Sequence, residues 1–196
     1  MFATLAIYCG SAPGNDPAFI STAYQAGQAL AHRGIRIVYG GGGVGMMGAL
    51  ADGALSSGGR VTGVIPEFLN TRELQHPDVK DMIVVQTMHE RKLRMVEEAQ
   101  GFIALPGGFG TLDELFEVLT WAQLGIHSHA VGLLNVGGFF DGILQCLDHM
   151  VAQGFLMASD RQRLIAAADI DTLIDRMADW QPPSEIKFSL AKRVTL

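Results

Sequence analysis

The sequence predicts an α/β protein with a Rossmann-like fold, in which a doubly wound parallel sheet is flanked by helices on both faces. The order of apolar runs and helical patterns along the chain predicts this fold. Apolar runs typical of strands buried on both faces alternate with helical patterns of roughly 10 to 20 residues. Because ligands bind beyond the carboxyl ends of the strands in such sheets, the loops that follow the runs are expected to form one site. Several runs end in Gly, Ser or Pro, as in CGS (9–11), YGGGGVG (39–45), VIPE (64–67) and LPGGFGT (105–111).

Apolar runs and helical periods divide the chain into alternating elements. Strands are predicted at 4–11, 35–41, 60–66, 82–87, 101–108 and 130–136. Helices are predicted at 13–33, 43–59, 88–99, directly after 108, at 139–153 and near 170–180. There is no internal repeat and no low-complexity linker. We therefore expect a single nucleotide-binding domain over residues 1–180 and a C-terminal tail over 181–196.

Composition limits the classes of partner. Of the 196 residues, 48% are hydrophobic, so the chain can bury a sizeable core. The net charge of −6 and the lack of a basic run do not fit binding to nucleic acid, although a single nucleotide is still possible. The first ten residues show neither a signal peptide nor a membrane span. Cys9 and Cys146 are expected to be buried free thiols, so we expect a soluble, cytoplasmic protein.

A glycine-rich loop opens the second predicted helix. Gly43, Gly45 and Gly48 match the spacing G-x-G-x-x-G, and the acidic residue Glu67 follows about twenty positions later, as in dinucleotide-binding folds. The match is weak, because a glycine-rich chain produces this spacing by chance. The alternative is a tight strand-to-helix turn with close packing at Gly48. The sequence leaves both interpretations open.

The segment PGGFGT (106–111) is a second candidate for binding an anion. Its glycines let backbone amides point into one concavity, and the positive end of the following helix favours a phosphate. Thr111 is a candidate for the cap of that helix. With Glu114 three residues later it forms the T-x-x-E pattern of a capping box. Glu114 is therefore either a capping residue or a functional carboxylate.

Two adjacent cations lie in the first part of the predicted helix that starts with MHERK (88–92). Arg91 and Lys92 lie near its N-terminus, where the helix dipole disfavours positive charge, so an anionic group is expected nearby. His127 and His129 have a spacing that metal ligands can use, but no third ligand stands at a convincing distance along the chain. We interpret both histidines as loop residues and expect no metal.

Five segments together resemble the LONELY GUY (LOG) family of cytokinin riboside 5′-monophosphate phosphoribohydrolases, relatives of proteins long called possible lysine decarboxylases. The resemblance extends from YCGS to about residue 160. It implies hydrolysis of the N-glycosidic bond of an N6-prenylated adenosine 5′-monophosphate, giving free base and ribose 5-phosphate without a cofactor. It also implies a homodimer in which a partner helix closes the base pocket. The segments are GGGGVGMMG (40–48), MHERK (88–92), PGGFGTLDE (106–114), TWAQLGIH (120–127) and VGLLNV (131–136).

The family pattern transfers to individual residues. Arg91 and Glu114 match the pair on which family activity depends. Glu73 matches an acidic residue that contributes before the fourth strand, with Glu67 as a competing match. Phe109 stands where many relatives have tyrosine, so a phenol hydroxyl is not essential here. The implied substrate-binding positions are Ser11, Gly42, Gly43, Glu73, Arg91, Lys92, Gly107, Gly108, Phe109, Gly110, Thr111, Leu112, Asp113, Glu114 and Thr120.

Three other functions are compatible with parts of the sequence. A general nucleosidase acting on AMP or another monophosphate would use the same residues. A nucleotide- or cofactor-binding carrier without catalysis would not need both Arg91 and Glu114. An NAD-dependent oxidoreductase would explain the G-x-G-x-x-G spacing but not the second phosphate loop. Lysine decarboxylation has no support, because no lysine lies in a context that indicates a pyridoxal Schiff base.

Overall fold

The computed structural model describes residues 2–71 and 74–183, which form one seven-stranded parallel sheet with helices on both faces. This confirms the predicted fold class. The strands are β1 Thr4–Tyr8, β2 Arg36–Tyr39, β3 Val61–Pro66, β4 Asp81–Val85, β5 Gly101–Ala104, β6 Ala130–Leu134 and β7 Leu164–Ala167. The helices are α1 Pro17–His32, α2 Gly45–Ser56, α3 Met88–Glu97, α4 Phe109–Gln123, α5 Asp141–Ala152, α6 Ala158–Arg161 and α7 Ile170–Asp179.

The strand order shows where a ligand crevice is expected in the sheet. The order is β4-β3-β2-β1-β5-β6-β7, so the chain builds outward from β1 in one direction and from β5 in the other. The point where the direction reverses lies between β1 and β5. The loops that leave these two strands diverge there and open a crevice, which is the usual ligand position in such sheets.

Alternate residues of the central strands pack into two separate cores. Leu5 and Ile7 of β1 face the layer of α1, α2 and α7, whereas Ala6 and Tyr8 face the layer of α3, α4 and α5. All five residues of β1 are buried. This burial on both faces explains why the residues that follow Thr4 in the strand form a continuous run without charged side chains.

Two glycines allow α1 and α2 to touch through their backbones. A Cβ atom added at Gly27 would collide with the carbonyl of Leu50, and one added at Gly53 would collide with the carbonyl of Tyr24. This close approach fixes the position of α2 and therefore of the glycine loop from which α2 begins.

The structure differs from the sequence-based prediction in several places. The strand β7 and the one-turn helix α6 lie outside the predicted elements, because a segment of four residues is too short to show a period. Cys9 is buried as expected, but Cys146 is exposed, so the expectation of two buried thiols is wrong for Cys146. No helix in the described part of the chain is long and apolar enough to cross a membrane. Glu73 and residues 184–196 of the predicted tail lie outside the described residues.

Candidate active site

A cleft of about 280 Å³ opens between the loops that follow β1 and β5. Backbone hydrogen bonds hold these loops together: the Gly10 amide donates to the Pro106 carbonyl at 3.1 Å, and the Met47 amide donates to the Gly10 carbonyl at 3.2 Å. The cleft therefore has a rigid floor made by β1, β5 and the start of α2. Its lining residues are Cys9, Gly10, Ser11, Met47, Arg91, Gly108, Phe109, Gly110, Thr111 and Glu114.

The glycines of the G-x-G-x-x-G loop are covered by protein. Gly45 has a φ of 60°, and a Cβ added there would collide with the Ser11 carbonyl. A Cβ added at Gly43 would press on the backbone of His76, and one added at Gly48 would press on the carbonyl of Gly43. The close packing that the tight-turn interpretation expected at Gly48 is confirmed. These glycines are needed for contacts between segments of the protein itself.

Two of the three glycines of the PGGFGT loop have the opposite surroundings, whereas the third, Gly107, packs against Thr111. A Cβ added at Gly108 or Gly110 would meet no atom within 4 Å, although both residues line the cleft. Neither residue has a positive φ. Gly108 is the N-cap of α4, a position where glycine is common, but Gly110 is an ordinary first-turn residue of the helix. Neither backbone strain nor packing in the described chain requires glycine at position 110.

The start of α4 decides the role of Glu114. The helix begins at Phe109 after the N-cap Gly108, so the capping box expected from Thr111 and Glu114 is wrong. Thr111 lies within the first turn and is buried, with its hydroxyl against Gly107. Glu114 is therefore free of any capping role. Its side chain is 9% exposed and lies in the wall of the cleft.

Arg91 of α3 pairs with Glu114 of the neighbouring helix α4. Its Nη1 lies 3.3 Å from Oε1 of Glu114, and its Nε donates to the carbonyl of Val64 at 3.1 Å. Gly40 makes room for the guanidinium, since a Cβ there would collide with Nη2. A carboxylate and a guanidinium from two different helices thus meet beside the bare N-terminus of α4.

Burial dominates the electrostatics of Glu114. Burial raises the pKa of this carboxyl from 4.5 to about 7, and the opposing charge of Arg91 offsets only part of that effect. The short distance to Arg91 favours the ionised carboxylate, whereas burial favours the protonated form. The effect of burial on the pKa is the larger one, because the side chain is almost completely removed from water. Glu114 can therefore exchange a proton near neutral pH.

Lys92 lies beside this pair and contacts other carboxylates. Its Nζ is 3.1 Å from Oδ2 of Asp113 and 3.1 Å from Oε1 of Glu117. Burial alone would lower the pKa of Lys92, but the hydrogen bonds to these two carboxylates raise it above its ordinary value. The anionic partners that the cations of MHERK indicated are thus Asp113, Glu114 and Glu117.

The structure brings together most of the residues that the sequence singled out. Ser11, Arg91, Glu114 and the residues from Gly108 to Thr111 line one cleft. Gly42 lies behind the cleft, paired with Gln75 in an isolated antiparallel bridge. Leu112 packs into the core beside α3 and α5, and Glu67 begins a short 3-10 turn after β3.

Thr120 lies apart from this cleft. Its hydroxyl donates to the Phe116 carbonyl at 2.6 Å, and the residue lines a separate groove of about 90 Å³. Thr120 is therefore not among the residues that line the cleft beside Glu114.

Sequence reasoning missed several residues that shape the site. Cys9, Gly10 and Met47 line the cleft, and Gly40 makes room for Arg91. The only feature of the sequence that indicated these residues was their position, since each lies just after the end of a strand or in the first turn of a helix. The rings of His127 and His129 stack in the loop before β6, with His127 Nε2 2.9 Å from the Val118 carbonyl. The described residues contain no cluster of three or more potential metal ligands.

Comparison of sequences identifies relatives along nearly the whole chain. The family model described as possible lysine decarboxylase matches residues 47–177. The chain is 44% identical over 185 residues to the cytokinin riboside 5′-monophosphate phosphoribohydrolase LOG of Oryza sativa subsp. japonica, covering 94% of this chain and 76% of that protein. It is 41% identical over 181 residues to LOG2 of Arabidopsis thaliana, which has the same named activity, covering 92% and 85%.

Comparison of structures supports the fold. The protein TM1055 superimposes with a TM-score of 0.70 at 20% identity, covering 90% of this chain and 99% of that chain. A molybdenum cofactor binding protein from Rippkaea orientalis gives a TM-score of 0.69 at 21% identity, covering 91% and 96%. At these identities the likeness shows the fold alone. Because the family model matches well over half of the chain and the sequence relatives align along nearly all of it, the chain belongs to the LONELY GUY (LOG) family, among the proteins described as possible lysine decarboxylases.

Proposed function

We propose that the protein hydrolyses the N-glycosidic bond of an N6-prenylated adenosine 5′-monophosphate and releases the free cytokinin base and ribose 5-phosphate. The observation that carries the proposal is the cleft in which the bare N-terminus of α4 adjoins the buried pair of Arg91 and Glu114. This reaction needs a seat for phosphate and a carboxylate beside a ribosyl cation. The named activity of the sequence relatives supports the same reaction.

The N-terminus of α4 is the proposed phosphate seat. The amides of Phe109, Gly110 and Thr111 begin the helix and have no intrahelical acceptors, so they are free to donate to phosphate oxygens. Gly108 and Gly110 leave open space in front of this backbone. The seat needs no basic side chain, which suits a chain of net charge −6.

Glu114 and Arg91 are the proposed catalytic residues. As the bond from the ribose carbon to the purine nitrogen breaks, positive charge grows on the sugar and negative charge grows on the base. An ionised Glu114 stabilises the sugar and accepts a proton from the attacking water, whose hydroxyl joins the ribose carbon. Arg91 stabilises the departing purine, which receives the proton that Glu114 took from the water, so that Glu114 returns to its ionised form. No metal or cofactor takes part in this scheme.

A homodimer completes the proposed site. Thr120 lies on the outer side of α4, outside the cleft of its own chain, with the exposed side chain of Phe116 one turn away. A partner chain packed against this helix would bring its own Thr120 towards the base and close the pocket. A cytoplasmic location, with no nucleic-acid or membrane partner, belongs to the same proposal.

The proposal is tested by measuring free base released from N6-isopentenyl-AMP and from AMP, using wild type, Arg91→Ala and Glu114→Ala. We expect wild type to prefer the prenylated nucleotide, and each variant to lose about 10²-fold or more in kcat. Equal turnover of both nucleotides would change the assignment to a general nucleosidase. Nucleotide binding without base release would favour a carrier.

A further inference from the structure

Lys92 is held between two carboxylates on α4. Asp113 and Glu117 are four residues apart on that helix, so their side chains lie on one face, and Nζ of Lys92 is 3.1 Å from an oxygen of each. The Lys92 side chain is 12% exposed. Two of its three N–H donors are therefore used by these carboxylates, of which Glu117 is mostly buried and Asp113 is largely exposed.

Arg91 and Lys92 leave α3 in different directions. Arg91 points into the cleft and pairs with Glu114, whereas Lys92 reaches the side of α4 that carries Asp113 and Glu117. Two adjacent cations are thus divided among three carboxylates. The charged side chains that affect the pKa of Glu114 come from two helices: Arg91 and Lys92 from α3, and Asp113 and Glu117 from α4. In turn, the charge of Glu114 helps to raise the pKa of Tyr8 and of Cys9 at the end of β1.

We propose that Lys92 is a positioning residue, which joins α3 to α4 through Asp113 and Glu117 and so keeps Arg91 paired with Glu114. This inference rests on the proposed function, and it replaces the direct substrate contact that the family resemblance implied for Lys92. Without the lysine, Asp113 and Glu117 would compete with Glu114 for the charge of Arg91. They would also disfavour the ionised form of Glu114.

The test compares Lys92→Met, which removes the charge and keeps a helix-forming stem, with wild type in the full-length protein. We expect kcat to fall about tenfold or more, while KM and the inhibition constant of ribose 5-phosphate stay within about twofold. The pH at which activity rises should move upward, because a cation near Glu114 has been removed. Lys92→Arg should restore kcat, since arginine can bridge the same two carboxylates.

A second variant separates positioning from general loss of structure. In Lys92→Met/Glu117→Gln, the carboxylate of Glu117 that has lost its lysine partner is replaced by a neutral amide. Part of kcat should therefore return, and the pH midpoint of the activity profile should move back down. Arg94→Met is the matched control, because it removes a cation of α3 that pairs with Glu97 and Glu98 away from the cleft, and its kinetics should match wild type.

Three results would overturn the inference. If Lys92→Met raises KM and the ribose 5-phosphate inhibition constant about tenfold with kcat unchanged, Lys92 binds phosphate directly. If no parameter changes, it has no role. The titration of the Glu114 carboxyl, followed by NMR in wild type and Lys92→Met, does not depend on turnover. If the pH midpoint of the Glu114 titration is the same in both proteins, the positioning role of Lys92 is contradicted. This holds even if wild type releases no base, a result that by itself contradicts only the proposed function.

Discussion

Two T-x-x-E sequences in this chain have different structural roles. Thr87 caps α3, accepting from the Glu90 amide at 3.1 Å, and Glu90 returns to accept from the Gln86 amide at 2.8 Å. Thr111 and Glu114 have the same spacing but cap nothing, because α4 has already begun at Phe109. The pattern alone could not distinguish the two. The difference depends on where each helix starts, and the start of α4 leaves Glu114 available to Arg91.

Replacing Gly110 should separate folding from function. Gly110→Ala places a methyl group in open space and improves helix propensity, so the free energy of unfolding should stay unchanged or rise by up to about 1 kcal/mol. The methyl group would lie where the phosphate approaches the amides. KM for the nucleotide should therefore rise about tenfold or more, as steady-state kinetics and urea unfolding would show together.

Gly142→Ala is the matched control for this substitution. Gly142 is also the second residue of a helix, α5, and a Cβ added there meets nothing within 4 Å. It does not line the cleft, so its KM should match that of wild type. Equal KM values for the two alanine variants would contradict a phosphate seat on α4.

The raised pKa of Glu114 predicts a pH dependence of the reaction. The scheme needs the ionised carboxylate, and burial places its pKa at about 7. The ionised fraction grows as pH rises and reaches one half at about pH 7, so kcat/KM should increase through neutral pH and level off roughly one pH unit higher. A rate profile between pH 5 and 9, measured as base release, checks this. A rate that falls through neutral pH would mean that protonated Glu114 acts as an acid.

At the scale of elements, α1 and α2 are packed against each other more tightly than side chains would allow. Gly27→Ala replaces a poor helix former, yet its methyl group would collide with the Leu50 carbonyl. We expect a loss of about 1–3 kcal/mol in the free energy of unfolding, measured in urea, because the helices have to separate. If Gly27→Ala is as stable as Gly142→Ala, the close helix contact is incorrect.

At the scale of the whole molecule, the sequence predicted the parallel sheet well, because its central strands are buried on both faces and are therefore mostly apolar. It also predicted that the loops after β1 and β5 meet at one edge of the sheet, where they line the cleft. It could not give the pairing of Arg91 with Glu114, which exists because α3 and α4 pack on the same face of the sheet. Nor could it show which glycines face open space and which face protein, since that depends on neighbours distant in sequence.

Assembly is the second property of the whole molecule that can be tested. We expect a mass about twice the 21.0 kDa of one chain in sedimentation, because the groove that holds Thr120 lies outside the chain's own cleft. Thr120→Arg and Glu114→Ala should each be inactive alone, and mixing them should restore part of the activity through hybrid dimers. A fully active monomer would contradict a shared site.

The most direct test of the proposed reaction is the product balance when wild type is incubated with N6-isopentenyl-AMP. Glycosidic hydrolysis predicts free base and ribose 5-phosphate in equal amounts, with no inorganic phosphate and no nucleoside. Release of phosphate and the nucleoside would mean that the bond to phosphorus is cut instead. A nucleotide that binds and is recovered intact would contradict the enzymatic assignment.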